Sequence, residues 1–401
     1  MRWPTQQLDK VADFRLGKML DDKKNRGELM PYLANVNVRW GDFDLSDLRE
    51  MRFEDNELDK FGLRYGDIVM CEGGEPGRCA IWKEQQPSMM IQKALHRIRP
   101  HACLNHGFLF YTFLHMGRTG QFAPLFTGAT IKHLPREKLA LLEVPIPPLP
   151  LQERVAEILS AYDDLIENNR RRMALLEESA RLLYREWFVR LRFPGHEHTR
   201  IVDGVPEGWE RKRIGEIAEC VGGGTPSTAV AAYWDDGDVT WVTPTDVTRN
   251  QHFVLLDSEK KITEAGFKSS SAKLVPPHAV LMTSRASVGF FAVAGREVCT
   301  NQGFISIVPY EPKHSLYILF HLSERVEEIR AMGSGSTYPE VSRSKFREFQ
   351  TLVPSVRLVA GFDEQVALTI QQIRVLKQQN QKLRAARDLL LPRLMNGEMS
   401  V

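Results

Sequence analysis

The sequence predicts an α+β chain written twice: two similar α/β units separated by a pair of long antiparallel coiled-coil helices, the halves related by a pseudo-twofold axis. Three observations predict it. The chain of 401 residues repeats itself at about half its length; each half ends in a long heptad-patterned stretch; and each half opens with short strand-like runs set between Gly, Pro, Ser and Thr.

The repeat comes first because it fixes architecture before any motif does. Leu8, Val11, Ala12 and Gly17 fall on Ile214, Ile217, Ala218 and Gly223 at a shift of 206. Tyr32, Asn37 and Val38 meet Trp241, Asp246 and Val247 at 209, and Ile98 and Pro100 meet Ile307 and Pro309 at the same shift. Thr130, Lys138, Pro147 and Ile166 fall on Thr337, Lys345, Pro354 and Ile373 at 207. Surface-loop insertions account for the small changes in shift.

Within each unit the periodicity is that of strands. Residues 67–71, 78–82 and 95–98 in the first unit, and 238–242, 279–282, 289–294 and 304–308 in the second, read as strands flanked by helices at 107–116 and 316–332. A long charged stretch at 42–60 reads as an insert in the first unit, with no role assigned to it.

The loops between these strands hold the candidate binding residues. In the first unit they carry Arg15, Lys18 and Lys23, then Asn35, Asn37 and Arg39, then Arg78, then Gln92 with Lys93, and last Thr130 and Lys132. In the second they carry Thr225 in GGGTPST, Thr243, Thr245 and Arg249 in TPTDVTR, and Thr283, Ser284, Arg285 and Ser287 in TSRAS. Asn301 and Gln302 follow in NQG, and Ser336, Thr337 and Tyr338 in GSGSTY. Glycine lets a backbone approach a phosphate, Ser and Thr bond its oxygens, and Arg, Asn and Gln read base edges in the major groove. Taken singly, each loop is an ordinary solvated turn. The recurrence of the set in both halves points to nucleic acid.

A proline-rich joint, VPIPPLP at 144–150, closes the first unit. From 151 to about 190 there is then no proline and no glycine, and Val155, Ile158, Tyr162, Leu165, Asn169, Met173, Leu176 and Leu183 recur every three or four residues. That is a heptad seam. Its second copy runs from about 358 to 395 through Phe362, Val366, Ile373, Leu376, Asn380, Leu383 and Leu390. Each helix would reach about 60 Å, and such a rod needs a partner; the other copy in the same chain is favoured by its effective concentration. The short linker around Pro194, Gly195, Pro206 and Gly208 favours an antiparallel pair with a globular unit at either end. Asn169 and Asn380 each interrupt a seam with an amide, and either fix register there or face water at the seam edge.

Composition excludes several classes. Hydrophobic residues at 43% and charged residues at 26% are those of a folded globular chain, and 53 basic against 51 acidic residues leave a net charge of +2. Local patches must therefore carry any polyanion binding. Five cysteines at irregular spacing, without a signal peptide before them, suggest reduced thiols in a cytoplasm. The longest apolar stretch, FLFYTFLHM at 108–116, falls well short of the roughly 18 residues a membrane span needs. GGGTPST lacks the lysine of a P-loop; no strand-linked GxGxxG occurs, nor the Asn/Asp-Pro-Pro-aromatic tetrapeptide of an amino-methyltransferase. His101, Cys103 and His106 lack a matching fourth metal ligand, and the nuclease-like Glu210 and Lys212 lie in the expected linker.

At the helices the sequence resembles a known family. VPIPPLPLQERVAEILSAYDDLIENNRRRMALLEESARLLYREWF at 144–188, followed by RFPG at 192–195, closely resembles the central conserved region of type I restriction-modification specificity subunits. LLLPRLMNGEM at 389–399 resembles their distal conserved region, and WERKRIGEIAECVGGG at 209–224 the usual start of a target-recognition domain. The resemblance implies a target-recognition domain at 1–143, the proline joint and central helix at 144–193, a linker and second recognition domain at 194–350, and the distal helix at 351–401. It further implies that each recognition domain binds one half of a split, asymmetric sequence in double-stranded DNA and that the helices set the gap. Two methyltransferase subunits carrying S-adenosylmethionine would dock on the rod, joined by two endonuclease/translocase subunits for cleavage. This chain would itself bind no cofactor or metal and catalyse nothing. The competing readings are a coiled-coil protein scaffold that never reads DNA, and an enzyme with its own nuclease or methyltransferase centre.

Overall fold

A computed structural model describes residues 3–21, 25–334 and 339–399. The chain divides into two compact units, Met1–Ile166 with Gln381–Val401, and Glu167–Asn380. Each contains a mixed α/β body and a portion of both long helices.

In the first unit a four-stranded antiparallel sheet runs in the order Ala12–Leu16, Leu95–Pro100, Ile68–Cys71, Cys79–Ile81. Every residue of Ile68–Cys71 is buried, which is why the sequence there is a continuous apolar run rather than an alternation. A second sheet places Glu28–Leu33 between Arg49–Phe53, antiparallel, and Met90–Ile91, parallel. Thr5–Gln7 pairs with Glu143–Pro145 and so ties the start of the unit to its end. Helix His106–Arg118 lies over the core; the Asn105 side chain accepts the Phe108 N–H at its N-terminus.

The second unit repeats this plan. Ala218–Gly222, Phe304–Pro309, Val280–Thr283, Phe291–Ala294 and Val254–Leu255 form a five-stranded sheet, and Lys260–Ile262, Val239–Val242 and Cys299–Thr300 a three-stranded one. Glu210–Arg213 pairs with Gln350–Val353. Glu210 and Lys212 therefore lie on a strand of this unit, not in a linker, and simply pair with each other at 2.6 Å. The expected helix at 316–332 is two helices, Ser315–Glu324 and Val326–Ala331. They break at Arg325, whose guanidinium stacks over Phe349 and donates to the Gln350 carbonyl at 2.7 Å. The charged stretch 42–60 is no loose insert: it supplies strand Arg49–Phe53 and helix Asp55–Phe61.

The long helices are Leu149–Tyr184, extended by a π-turn at Arg185–Val189, and Val356–Met395. In the first unit Val155, Ala156 and Leu159 share a core with Leu391, Leu394 and Met395; in the second Tyr184 and Trp187 meet Phe362, and Asn169 meets Asn380. Rising numbers on one helix face falling numbers on the other within each unit, so the pairing is antiparallel. The Asn169 amide donates to Asn380 at 2.9 Å with both side chains buried. Val155, Met173, Phe362, Val366, Ile373 and Leu376 are buried; Ile158, Tyr162, Leu176, Leu183, Leu383 and Leu390 are half-buried. Leu165 is corrected: it is 51% exposed, and its neighbour Ile166, at 3%, takes the buried position. Ile166 fits a seam through Leu159, Tyr162 and Asn169, which keeps Tyr162 and Asn169 of the expected one and shifts by one residue at Leu159 and Ile166.

Side chains from the helices lock each body in place. Gln152 accepts the Asn105 N–H at 2.8 Å and donates to the Pro147 carbonyl at 2.8 Å. In the second unit, buried Glu177 accepts the Phe253 N–H at 2.9 Å and Arg181 at 3.0 Å. Burial opposes the charge of Glu177, but its hydrogen bonds with His252, Phe253 and Arg181 outweigh it and hold the pKa below the usual carboxylate value.

Candidate nucleic-acid interface

The backbone brings the candidate loops of each unit to one end of its sheets, and it does so with the same hydrogen bonds twice. Lys18 N–H donates to Ile91 O at 3.0 Å and Gly224 N–H to Thr300 O at 2.9 Å. Gln92 N–H donates to Leu33 O and Asn301 N–H to Val242 O, both at 3.0 Å. Leu134 N–H donates to Glu72 O and Val341 N–H to Ser284 O, at 2.8 and 2.9 Å. Bridges Gly73 to His133 and Arg285 to Glu340 close the two clusters in the same way. At Gly17 and Gly223 a Cβ would lie 2.4 Å from Gln92 O and 2.0 Å from Asn301 O, so only glycine permits this approach.

The side chains on this scaffold differ between the units. In the second, Thr225, Thr245, Arg249, Arg285, Ser287 and Gln302 are exposed, with Thr243 and Asn301 half-buried. Arg285 is 54% exposed and lies 3.7 Å from the equally open Glu340, a surface pair worth little and readily exchanged for another partner. Thr225 and Gln302 contact one another across the cluster. In the first, Arg39, Thr130 and Lys132 are exposed, and Asn35, Gln92 and Lys93 half-buried; Arg15 is exposed too but lies within strand Ala12–Leu16 opposite Arg97, not in a loop as expected.

Several expected contacts are used inside the protein instead. Lys18 buries its ammonium against Glu57 at 2.5 Å and the Arg52 carbonyl at 2.8 Å, over the Phe53 ring. Burial works against the Glu57 charge, but Lys18 and the Glu54 N–H hold its pKa below the usual value. The Asn37 side chain accepts the Ala34 N–H at 2.9 Å and donates to Asp44 O and Asp47 O, just as Asp246 accepts the Thr243 N–H at 2.8 Å. Arg78 pairs with Glu75 and donates to Asn35 O at 2.9 Å. Thr283 is buried with its hydroxyl on the Ser287 carbonyl and the Phe290 N–H, and Ser284 is buried beside it. These residues build the loops. Lys23, Ser336, Thr337 and Tyr338 lie outside the described residues. Sequence reasoning passed over Gly73, Gly74, His133, Ala286 and Glu340, which complete the clusters; aligning the two tight turns at a shift of 212 would have paired Gly74 with Ala286.

Among the described residues no three His, Cys, Asp or Glu side chains gather as a metal site, and no helix is long and apolar enough to cross a membrane. The fold is a duplicated one, with the same loop cluster built by the same backbone bonds in each unit. The family profile of the type I restriction modification DNA specificity domain matches residues 2–178 and again 206–383. Over 171 residues the chain is 34% identical to the type I restriction enzyme MjaIX specificity subunit of Methanocaldococcus jannaschii, an alignment covering 42% of this chain and 39% of that one. Over 460 residues it is 22% identical to the HindI specificity subunit of Haemophilus influenzae, covering 97% and 94%. The crystal structure of a type I restriction-modification system S subunit from M. genitalium superposes with a TM-score of 0.59 at 17% identity, over 98% of this chain and 96% of that one. The chain belongs to the type I restriction-modification specificity-subunit family. Its general role is the non-catalytic one of DNA recognition within such a complex.

Proposed function

We propose that each unit reads one half of a bipartite, asymmetric DNA site through its loop cluster, and that the helix pair sets the interval between the halves and docks two methyltransferase subunits. The recognition domains on this reading are residues 1–143 and 194–350. S-adenosylmethionine belongs to the methyltransferase partners, and endonuclease/translocase subunits join the same assembly. The carrying observation is that one backbone scaffold of loops occurs twice while the exposed side chains on it differ. That is what two readers of two different half-sites require, since phosphate contacts position a protein while base-edge contacts specify sequence. Two linked sites gain avidity when the duplex presents both halves at the matching interval.

Arg285, Ser287, Asn301 and Gln302 would read one half-site, and Asn35, Arg39, Gln92 and Lys93 the other. Single-molecule sequencing of DNA methylated by the complex, compared between the parent chain and Arg285→Ala, tests this. The variant should lose about 1–3 kcal/mol of discrimination at one position of one half-site and leave the other half unchanged. Unchanged preference in both halves removes Arg285 from the reading surface. A protein-only scaffold instead predicts duplex binding by the complex that selects no sequence.

A further inference from the structure

Non-glycine residues with positive φ are Glu84, Ser88, Leu191, Asp203, Asp236, His278 and Ala286 among the described residues. Asp203, Asp236 and His278 are of the types enriched in the left-handed region, and the Glu84 carboxylate accepts the Tyr65 N–H at 3.2 Å. Leu191 repays its strain by packing its side chain on the core of the second unit. Ala286, at φ 60°, is exposed, has no side-chain polar atom and joins none of the hydrophobic clusters. Among the described residues its side chain joins no apolar cluster that would offset the strain; backbone hydrogen bonds of the turn hold it there.

Its position is the apex of a turn that both units share. Cys71 N–H donates to Arg78 O and Gly77 N–H to Cys71 O in the first; Thr283 N–H donates to Phe290 O and Gly289 N–H to Thr283 O in the second. The residue matching Ala286 is Gly74, at φ 80°, where a Cβ would lie 2.6 Å from the Asn35 side chain. The first unit thus places the expected glycine, and the second a methyl group. The turn around that methyl is rigid: Ala286 N–H donates to Pro339 O at 3.0 Å, Ser287 N–H to Arg285 O at 2.8 Å, and the Thr283 hydroxyl holds Ser287 O. Arg285 and Ser287 stand exposed on either side of it.

Strain held at an exposed apex, where glycine would relieve it, marks a functional position. We propose that the Ala286 methyl reads the 5-methyl group of a thymine in the major groove, beside the base taken by Arg285. Thymine is the base that presents a methyl there in unmodified DNA, and alanine is a residue that contacts it. This assignment rests on the reading that the loop cluster faces DNA.

The test uses the complex with its methyltransferase subunits and the recognition sequence mapped from the methylation of the parent. Duplexes carrying that sequence are compared with duplexes in which each thymine of one half-site in turn is replaced by deoxyuracil, which lacks only the methyl. The parent should bind one such duplex about fourfold more weakly, the value of one buried methyl group. Ala286→Gly should bind the thymine and deoxyuracil forms equally at that position, while its melting temperature rises by about 1–3 °C as the strain is relieved. An undiminished thymine preference in Ala286→Gly overturns the assignment, as does a lowered melting temperature, which would place the methyl in packing. Failure of the DNA-reading function itself looks different: the parent complex would then show no sequence preference at any position.

Discussion

The carboxyl group of Asp363 is buried in the second long helix and accepts the N–H groups of Tyr317 at 2.9 Å and Leu316 at 3.4 Å at the start of helix Ser315–Glu324. Burial raises its pKa from 3.8 to about 7 against those N–H groups, which favour the charged form. As pH rises from 3.8 to about 7 the unfolded chain gives up this proton before the folded one does, so the stability contributed by Asp363 falls across that window and levels off above it. Between pH 5 and pH 8, urea unfolding should show the parent losing about 2–4 kcal/mol relative to Asp363→Asn; the opposite slope from His321, whose pKa burial lowers to about 3, is common to both chains and cancels in that difference. The corresponding anchor of the first unit is the neutral Gln152, which adds no such slope. At this scale the sequence was a poor guide to which polar side chains stay available. Lys18 looked free because its partner Glu57 lies 39 residues away on an element that read only as charged. Asn37 was legible in principle: a side chain three residues beyond the N–H it caps is the spacing of a helix start, as in Thr243 and Asp246.

Among the elements, the long helices were the most legible, because heptad periodicity is local and survives over many turns. Their phase was legible at Val155, Asn169 and Met173 but not at Leu165, since Leu165 and Ile166 are adjacent, both apolar, and differ only in which one is buried. The strands at 67–71, 95–98, 279–282 and 304–308 were legible from their apolar runs, but their sheet order, and with it the convergence of the loops, depends on pairings between distant residues. The Asn169 and Asn380 amides settle one open question of the seam by bonding to each other inside it. A double-mutant cycle of Asn169→Leu and Asn380→Leu, read by urea unfolding, should return a coupling of about 1 kcal/mol. Additive effects would mean that the bond contributes nothing to the pairing.

For the whole molecule, the informative fact is which pieces of chain make up each compact unit. Glu167–Asn380 is one continuous stretch, whereas the other unit joins Met1–Ile166 to Gln381–Val401. Leu391, Leu394 and Met395 from the second piece are buried in the core with Val11, Phe108 and Leu159 from the first. A chain ending at residue 380 should lose several kcal/mol from the first unit, since each large buried side chain removed costs about 2–5 kcal/mol. Limited proteolysis of that truncated chain should cut within residues 3–166 well before 167–380; equal resistance of the two would show that the last helical turns contribute little. The same connectivity orders events on the ribosome. At roughly 5–20 residues per second, the segment made first waits about 10–40 s for the residues that complete its interior, while the segment made second is already whole. Birth order and completion order are reversed, and the nascent amino-terminal half is the stretch with most need of a chaperone.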